Sequence, residues 1–160
     1  MSNKICIPAE CENDPFYRYK RRKLQFQVIT NFILVTNISD VAKDLKRETV
    51  EIVDWLTSKI KRSRSVRYVE QGNIMVLKIA NKSGECTIDF EAILEEYIKL
   101  FVLCCTCKNP ETIYYITEMG KMRVRCKACG DVRKLKDHTF KSVIRGHFKK
   151  RLIQSAAANE

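Results

Sequence analysis

The sequence lacks any apolar run long enough to cross a bilayer: its longest, FVLCC at 101–105, is far short of the roughly 20 residues a helical span requires. The first residues, MSNKICIPAEC, lack the longer apolar stretch of a secretory signal, so a reducing compartment, cytoplasmic or nuclear, is expected. In such a compartment the eight cysteines are more naturally metal ligands and buried thiols than disulfides. A glycine-rich phosphate loop followed by lysine is also missing, which excludes a nucleotide triphosphate site of that type in this chain. Acidic residues are scarce in one region: 121–151 holds twelve Lys or Arg against Asp131 and Asp137.

What remains is a basic chain of 160 residues with a formal charge of +11 and 45% hydrophobic content. That content suffices for a core, in one ordinary domain or two small ones. The charge exceeds what solubility needs and favours a polyanionic partner, nucleic acid or an anionic surface, with no membrane-spanning role.

Alternation in LQFQVI at 24–29 and the apolar FILVT at 32–36 predict two strands around Thr30 and Asn31, a turn poor in glycine. Asn37 is placed to cap a helix that carries Ile38, Val41, Ala42 and Leu45 on one face. Thr49 is placed to cap a second, with Ile52, Val53, Leu56 and Ile60. VRYVE and IMVLKI flank Gln71, Gly72 and Asn73 as a hairpin, and Asp89 caps a helix over 90–102 bearing Phe90, Ile93, Leu94, Tyr97, Ile98 and Phe101. Two short helices followed by a hairpin also fit a winged helix-turn-helix. Glu51 and Asp54 at the start of the second helix argue against it, because phosphates repel them.

Cys104, Cys107, Cys126 and Cys129 form C-x2-C-x18-C-x2-C, the spacing in which paired thiolates on two turns give a tetrahedral zinc site. With four thiolates and no histidine in register, the expected Zn2+ is structural. His138 and His147 fall outside the spacing; Cys105 is expected to be a small buried side chain; Cys6, Cys11 and Cys86 have no metal spacing. IYYIT and MRVRC alternate as strands joined around MGK, with VRKL a third, and such a ribbon depends on its metal for folding. Its outward Arg123, Arg125, Lys127, Arg133, Lys134 and Lys136 are candidate RNA-binding residues. Phe140, Ile144 and Phe148 then recur every fourth residue among lysines and arginines, a basic helix that could pack on the ribbon, lie along RNA or bind an acidic protein; QSAAANE looks frayed. The expected class is α+β: a basic aromatic arm at 1–23, a mixed α/β core at 24–102, a four-cysteine zinc ribbon at 103–136, and a basic helix and tail at 137–160.

DPFYRYKRRKL, NISDVAKDLKR, EEYIKLFVLCCTCKNPET, RCKACG and LKDHTFK together resemble the N-terminal domain of eukaryotic translation initiation factor five, within the family it shares with the beta subunit of initiation factor two. The resemblance covers roughly residues 14 to 136. It implies a cytoplasmic translation factor on the small (40S) ribosomal subunit and its rRNA, close to initiator tRNA and GTP-bound initiation factor two, with other initiation factors as further partners. It also implies stimulation of GTP hydrolysis by factor two during start-codon selection, with Arg18 of FYRYK as the arginine-finger candidate. Lys20, Arg21, Arg22 and Lys23 would steer that segment toward phosphate, and the tyrosine-flanked arm is expected to order on docking. The glycine-rich, lysine-bearing loop usual between the first two strands is missing, since QVITNFILV runs straight through. The sequence also ends without the helical-repeat domain of factor five, so recruitment is expected to be weaker, to fall to another protein, or to be carried by the basic tail at 137–153. Two other roles fit: a non-activating mimic occupying the factor five site, and a beta-subunit-like structural component, for which residues 1–13 are short.

Overall fold

The computed structural model describes residues 4–60, 65–71 and 74–158. They fall into two compact units, Met1–Ile98 and Lys99–Glu160. In the first unit β1 (Lys4–Cys6) pairs antiparallel with β2 (Lys20–Arg22), Ile5 opposite Arg21. The intervening segment is held by local bonds. Asp14 accepts from the Phe16 N–H through its carboxylate (2.9 Å) and from the Tyr17 N–H through its carbonyl (3.2 Å). The Tyr17 hydroxyl donates to the Ile7 carbonyl, and the Ile7 N–H donates to that of Tyr19 (2.9 Å). The stretch expected as an arm ordering on docking is therefore folded back on itself. Its composition gave no sign of this, because every one of these bonds has a main-chain partner.

A four-stranded antiparallel sheet follows, built from β3 (Phe26–Ile29), β4 (Phe32–Val35), β5 (Val66–Gln71) and β6 (Ile74–Ala80) in the order β3-β4-β6-β5. Thr30 and Asn31 close the first hairpin without glycine: Asn31 takes φ 67°, a conformation asparagine tolerates better than most residues. The turn expected at Gln71–Asn73 lies mostly outside the described residues, but Gln71 pairs with Ile74 as a hairpin requires. Pairing of Ile33 with Ile79 and of Val35 with Leu77 puts four fully buried side chains on one face.

Three helices, α1 (Ile38–Leu45), α2 (Thr49–Ile60) and α3 (Phe90–Tyr97), bury their apolar stripes in this unit. Asp89 caps α3 as its position predicts, accepting from the Ala92 N–H at 3.0 Å. Asn37 stands at the N-cap of α1, but its side chain makes no capping bond. Its amide instead accepts from the Gln25 N–H and donates to the Lys23 carbonyl, both at 2.8 Å, tying the entry to β3 onto the helix. Thr49 lies inside α2, whose first turn bonds to the Glu48 carbonyl. The winged-helix reading fails because α2, its would-be recognition helix, buries Ile52, Val53, Trp55, Leu56 and Ile60. Glu51 is turned inward as well, accepting from the Tyr97 hydroxyl, while the Trp55 indole donates to the Ile93 carbonyl.

Arg21 locks β2 to this core. Fully buried, it donates to Glu91 (2.8 Å), Glu95 (2.6 Å) and the Arg22 carbonyl (3.2 Å), and Glu91 also accepts from the Leu24 N–H. Removing one partner of such an arrangement strands the other. We expect Arg21→Ala to cost about 3 kcal/mol of stability, the lower end for a buried pair because both glutamates keep some solvent. Urea denaturation checks this, and a loss below about 1 kcal/mol would place the arginine among ordinary surface pairs.

In the second unit β7 (Thr112–Ile116), β8 (Met122–Cys126) and β9 (Val132–Lys134) form a three-stranded antiparallel ribbon in chain order, and α4 (Lys141–Ala157) follows. The helix expected over 90–102 is split: α3 is regular to Tyr97 and gives way to a π-helical turn, Ile98–Val102. The Val102 carbonyl, left without a helical partner, accepts from the buried Thr112 hydroxyl. Phe148 of α4 meets Tyr114 edge-on, with ring centroids 6.1 Å apart, and Ile144 is fully buried, so the first half of α4 packs on the ribbon. Residues 149–157 remain exposed and helical; of QSAAANE, where fraying was expected, residues 154–157 continue the helix and the last two lie outside the described residues.

Candidate metal centre and the arginine turn

Two turns of like geometry present the four cysteines. In the first, the Cys104 carbonyl accepts from the Lys108 N–H (3.1 Å) and its N–H donates to the Asn109 carbonyl (3.0 Å). In the second, Cys126 makes the same pair of bonds with Gly130 (3.0 Å) and Asp131 (2.8 Å). Each turn reverses through a left-handed residue after its second cysteine, Lys108 at φ 60° and Gly130 at φ 78°.

The four sulfurs lie within 4.8 Å of one another, with Cys104–Cys129 at 3.7 Å and Cys107–Cys126 at 3.6 Å. Metal–sulfur bonds of about 2.3 Å in a tetrahedron require sulfurs about 3.8 Å apart, so this donor set fits one metal ion. Electrostatics agree. Burial raises the Cys104 thiol, but the N–H groups of Cys107 and Thr106 and the neighbouring thiols outweigh it and bring the pKa down to about 7. The Asp131 N–H favours the Cys129 thiolate, yet desolvation and the three other sulfurs push it up to about 12. Burial raises Cys126 too. Four thiolates cannot coexist here without a cation.

Cys105 is exposed rather than buried, its thiol 3.7 Å from an Asp131 carboxylate oxygen and outside the cluster. It faces outward because Cys104, its neighbour in the turn, faces the ligand set. We expect Gly130→Ala to weaken metal binding about tenfold. The new Cβ meets nothing within 4 Å, so the loss is backbone strain of about 1–2 kcal/mol that metal-coupled folding must absorb. Competition against a chromophoric chelator measures it, and an affinity within twofold of the native chain would mean that the turn relaxes.

The basic residues do not form one surface. Register puts Arg123 opposite Lys134, with Arg125 two residues on, so these three share the outer face of the ribbon; Arg125 also lies 5.0 Å from the Tyr115 ring centre. Arg133 pairs with Val124 on the opposite face and donates to the Leu103 carbonyl (2.9 Å), which bolsters the approach to Cys104 instead of facing outward. Lys127 and Lys136 are exposed. In the N-terminal segment Lys20 and Lys23 are exposed, and Arg22 is paired with Asp40 (3.1 Å). Arg21, expected among the phosphate-facing residues, is instead sealed in the core, unavailable to an external anion.

Arg18 stands outside. It is exposed between half-buried Tyr17 and Tyr19, donates to the Tyr19 hydroxyl at 2.7 Å and lies 4.9 Å from that ring's centre. Tyr17 and Tyr19 meet edge to face at 5.5 Å, and Phe16 beside them is 92% exposed. A structured turn therefore projects a guanidinium and a phenyl ring outward.

The family described as the domain found in initiation factors 2B and 5 matches residues 9–132, from this turn through both cysteine pairs. The chain belongs to that initiation-factor domain family. Eukaryotic translation initiation factor 5 of Saccharomyces cerevisiae is 32% identical over 136 residues, covering 81% of this chain and 31% of that protein. Those of Caenorhabditis elegans and Dictyostelium discoideum are each 33% identical, over 73% and 74% of this chain and 26% and 29% of theirs. This initiation-factor domain chain thus spans less than a third of the length of these relatives. Among its described residues no helix is long and apolar enough to cross a membrane.

Proposed function

We propose that this chain acts in translation initiation in the cytoplasm, on the small (40S) ribosomal subunit, in contact with rRNA and initiator tRNA. There it stimulates GTP hydrolysis by initiation factor two. The observation that carries the reading is Arg18: an exposed guanidinium held by the Tyr19 hydroxyl and ring on a turn with its own hydrogen bonds. A planar guanidinium donates several hydrogen bonds in a fixed fork, which suits phosphoryl oxygens gaining charge in a transition state. The outer face of the ribbon, with Arg123, Arg125 and Lys134 on neighbouring strands, supports phosphate contacts that position the domain. The ion in the cysteine cluster is Zn2+ on this reading: four soft thiolates in a closed tetrahedral set, whose part is to fold the ribbon.

Single-turnover GTP hydrolysis by factor two carrying initiator tRNA on small subunits, with and without this protein, tests the proposal. Faster hydrolysis in its presence is expected. The tight Thr30–Asn31 turn favours one second reading, since it leaves no extended loop where the resembling factor has one. On that reading the chain occupies the factor five site without activating. Binding with no acceleration, together with displacement of full-length factor five from the subunit, would select it.

A further inference from the structure

The helices bury only one face of the four-stranded sheet. Its other face carries Phe32 and Leu34 of β4, Val76, Lys78 and Ala80 of β6, Arg67 and Val69 of β5, and Ile29 of β3. Ile29 and Val69 are 47% and 42% exposed, and Phe32, Leu34 and Val76 are half-buried. Within this face a cleft of about 260 Å³ is lined by Phe32, Ser65, Arg67, Lys78 and Ala80.

The charges in the cleft are arranged against the stability of the sheet. Register sets Arg67 directly opposite Lys78 on the same face, and like charges so placed repel. Among the described residues no carboxylate pairs with either; Lys78 has only the Phe32 ring, its Nζ 3.9 Å from the ring centre. Two uncompensated cations beside an aromatic ring, in a shallow apolar hollow, complement a phosphate joined to a planar base. The volume is below the ~300–1,000 Å³ of drug-sized and cofactor sites, and suits one nucleotide of a strand whose remainder runs along the sheet. Duplex RNA hides its base faces, whereas an unpaired strand can lay a base on a ring.

We propose that this open sheet face binds single-stranded RNA: Lys78 swings off the Phe32 ring, a base stacks on that ring in its place, and Arg67 and Lys78 hold the adjacent phosphate. The site uses neither Arg18 nor any residue of the ribbon. It is tested on free oligonucleotide without ribosome or GTPase, so it can fail while the role proposed above stands.

The experiment is fluorescence anisotropy of a labelled oligouridylate of about ten nucleotides with the full chain, titrated at several salt concentrations. Phe32→Leu, which keeps the apolar volume, is expected to weaken binding about tenfold and to leave affinity for an RNA duplex unchanged. Lys78→Glu is expected to weaken single-strand binding at least as much and to flatten the dependence of log affinity on log salt by roughly 0.7. Its Tm should be equal to or above that of the native chain, since Arg67 then faces a carboxylate; a residue kept only for the fold would not separate affinity from stability in this way. Affinities of both variants within twofold of native would overturn the proposal. So would an equal loss for duplex and single strand in Phe32→Leu, or displacement of the oligonucleotide by polyglutamate with Phe32→Leu behaving as native, which would reassign the face to an acidic protein.

Discussion

Stripping the metal from the full chain with a strong chelator is expected to unfold the cysteine ribbon while the first unit keeps its structure. Beyond the cysteines the second unit has only a small core: Phe101, Val102 and Leu103 before the ribbon, Met122, Val124 and Leu135 in it, and Phe140, Ile144 and Phe148 after it. Structural zinc sites in small domains contribute apparent free energies of about 10–16 kcal/mol at neutral pH, and a metal held here with energy of that order is not replaced by a core of this size. The single tryptophan, Trp55, lies in the first unit with its indole bonded to Ile93, so its fluorescence reports the packing of that unit. The expected result is unprotected amide hydrogens over β7 to β9 and unchanged Trp55 emission. Cys104→Ser should act like chelation, because the Cys105 thiol points toward Asp131 and is not in the cluster. Retained amide protection after complete metal removal would mean that α4 suffices to hold the ribbon. Acid should act in the same direction. Ligands bind deprotonated, Cys104 gives up its proton near pH 7 and Cys126 and Cys129 later, so affinity rises with pH and falls on acidification through that range.

The metal site was legible because its information is local. Two C-x2-C pairs fix two turns, and alternation in IYYIT and MRVRC fixes the strands between them. The stripe of α1, the two strands around Thr30 and Asn31 and the Asp89 cap were legible for the same reason: each depends on residues within one or two turns of the chain, whereas the pairing of those strands came only with the structure. What failed depends on distant partners. Arg18, Lys20 and Arg21 are alike in composition, yet Arg21 is the one whose β2 position faces glutamates 70 and 74 residues away. Asn37 had the position of a cap, but main-chain groups at Lys23 and Gln25 claimed its amide. Arg133 looked equivalent to Arg123 until register set it opposite Val124, on the other face of the ribbon. The cleft of Phe32, Arg67 and Lys78 escaped notice although its signal was present. Alternation within VRYVE and IMVLKI assigns Arg67 and Lys78 to one face once the hairpin register is counted from Gln71 and Ile74.

Replacing Arg18 with alanine is expected to abolish stimulation of GTP hydrolysis, a loss of roughly 10³ or more in the stimulated rate if the guanidinium works in trans as in known cases. Its surroundings explain why lysine should not rescue. The Tyr19 hydroxyl takes one hydrogen bond from the guanidinium and the Tyr19 ring supports its face, which fixes the direction of a plane whose fork suits phosphoryl oxygens. A lysine ammonium carries the charge but lacks the plane, so it cannot keep the tyrosine contact and span two oxygens together. Arg18→Lys should therefore lie close to the alanine variant. Tyr19→Phe, which removes one hydrogen bond and keeps the ring, should cost about 1 kcal/mol, roughly fivefold. Because Arg18 is exposed, neither Arg18 variant should shift stability by more than about 0.5 kcal/mol, and metal content and small-subunit binding should match the native chain. Single-turnover hydrolysis by factor two separates the cases. If Arg18→Ala stimulates within threefold of the native protein, the residue is an RNA or protein contact and the turn has no part in hydrolysis; a graded loss from Tyr19→Phe through Arg18→Lys to Arg18→Ala identifies the fork itself as the active element.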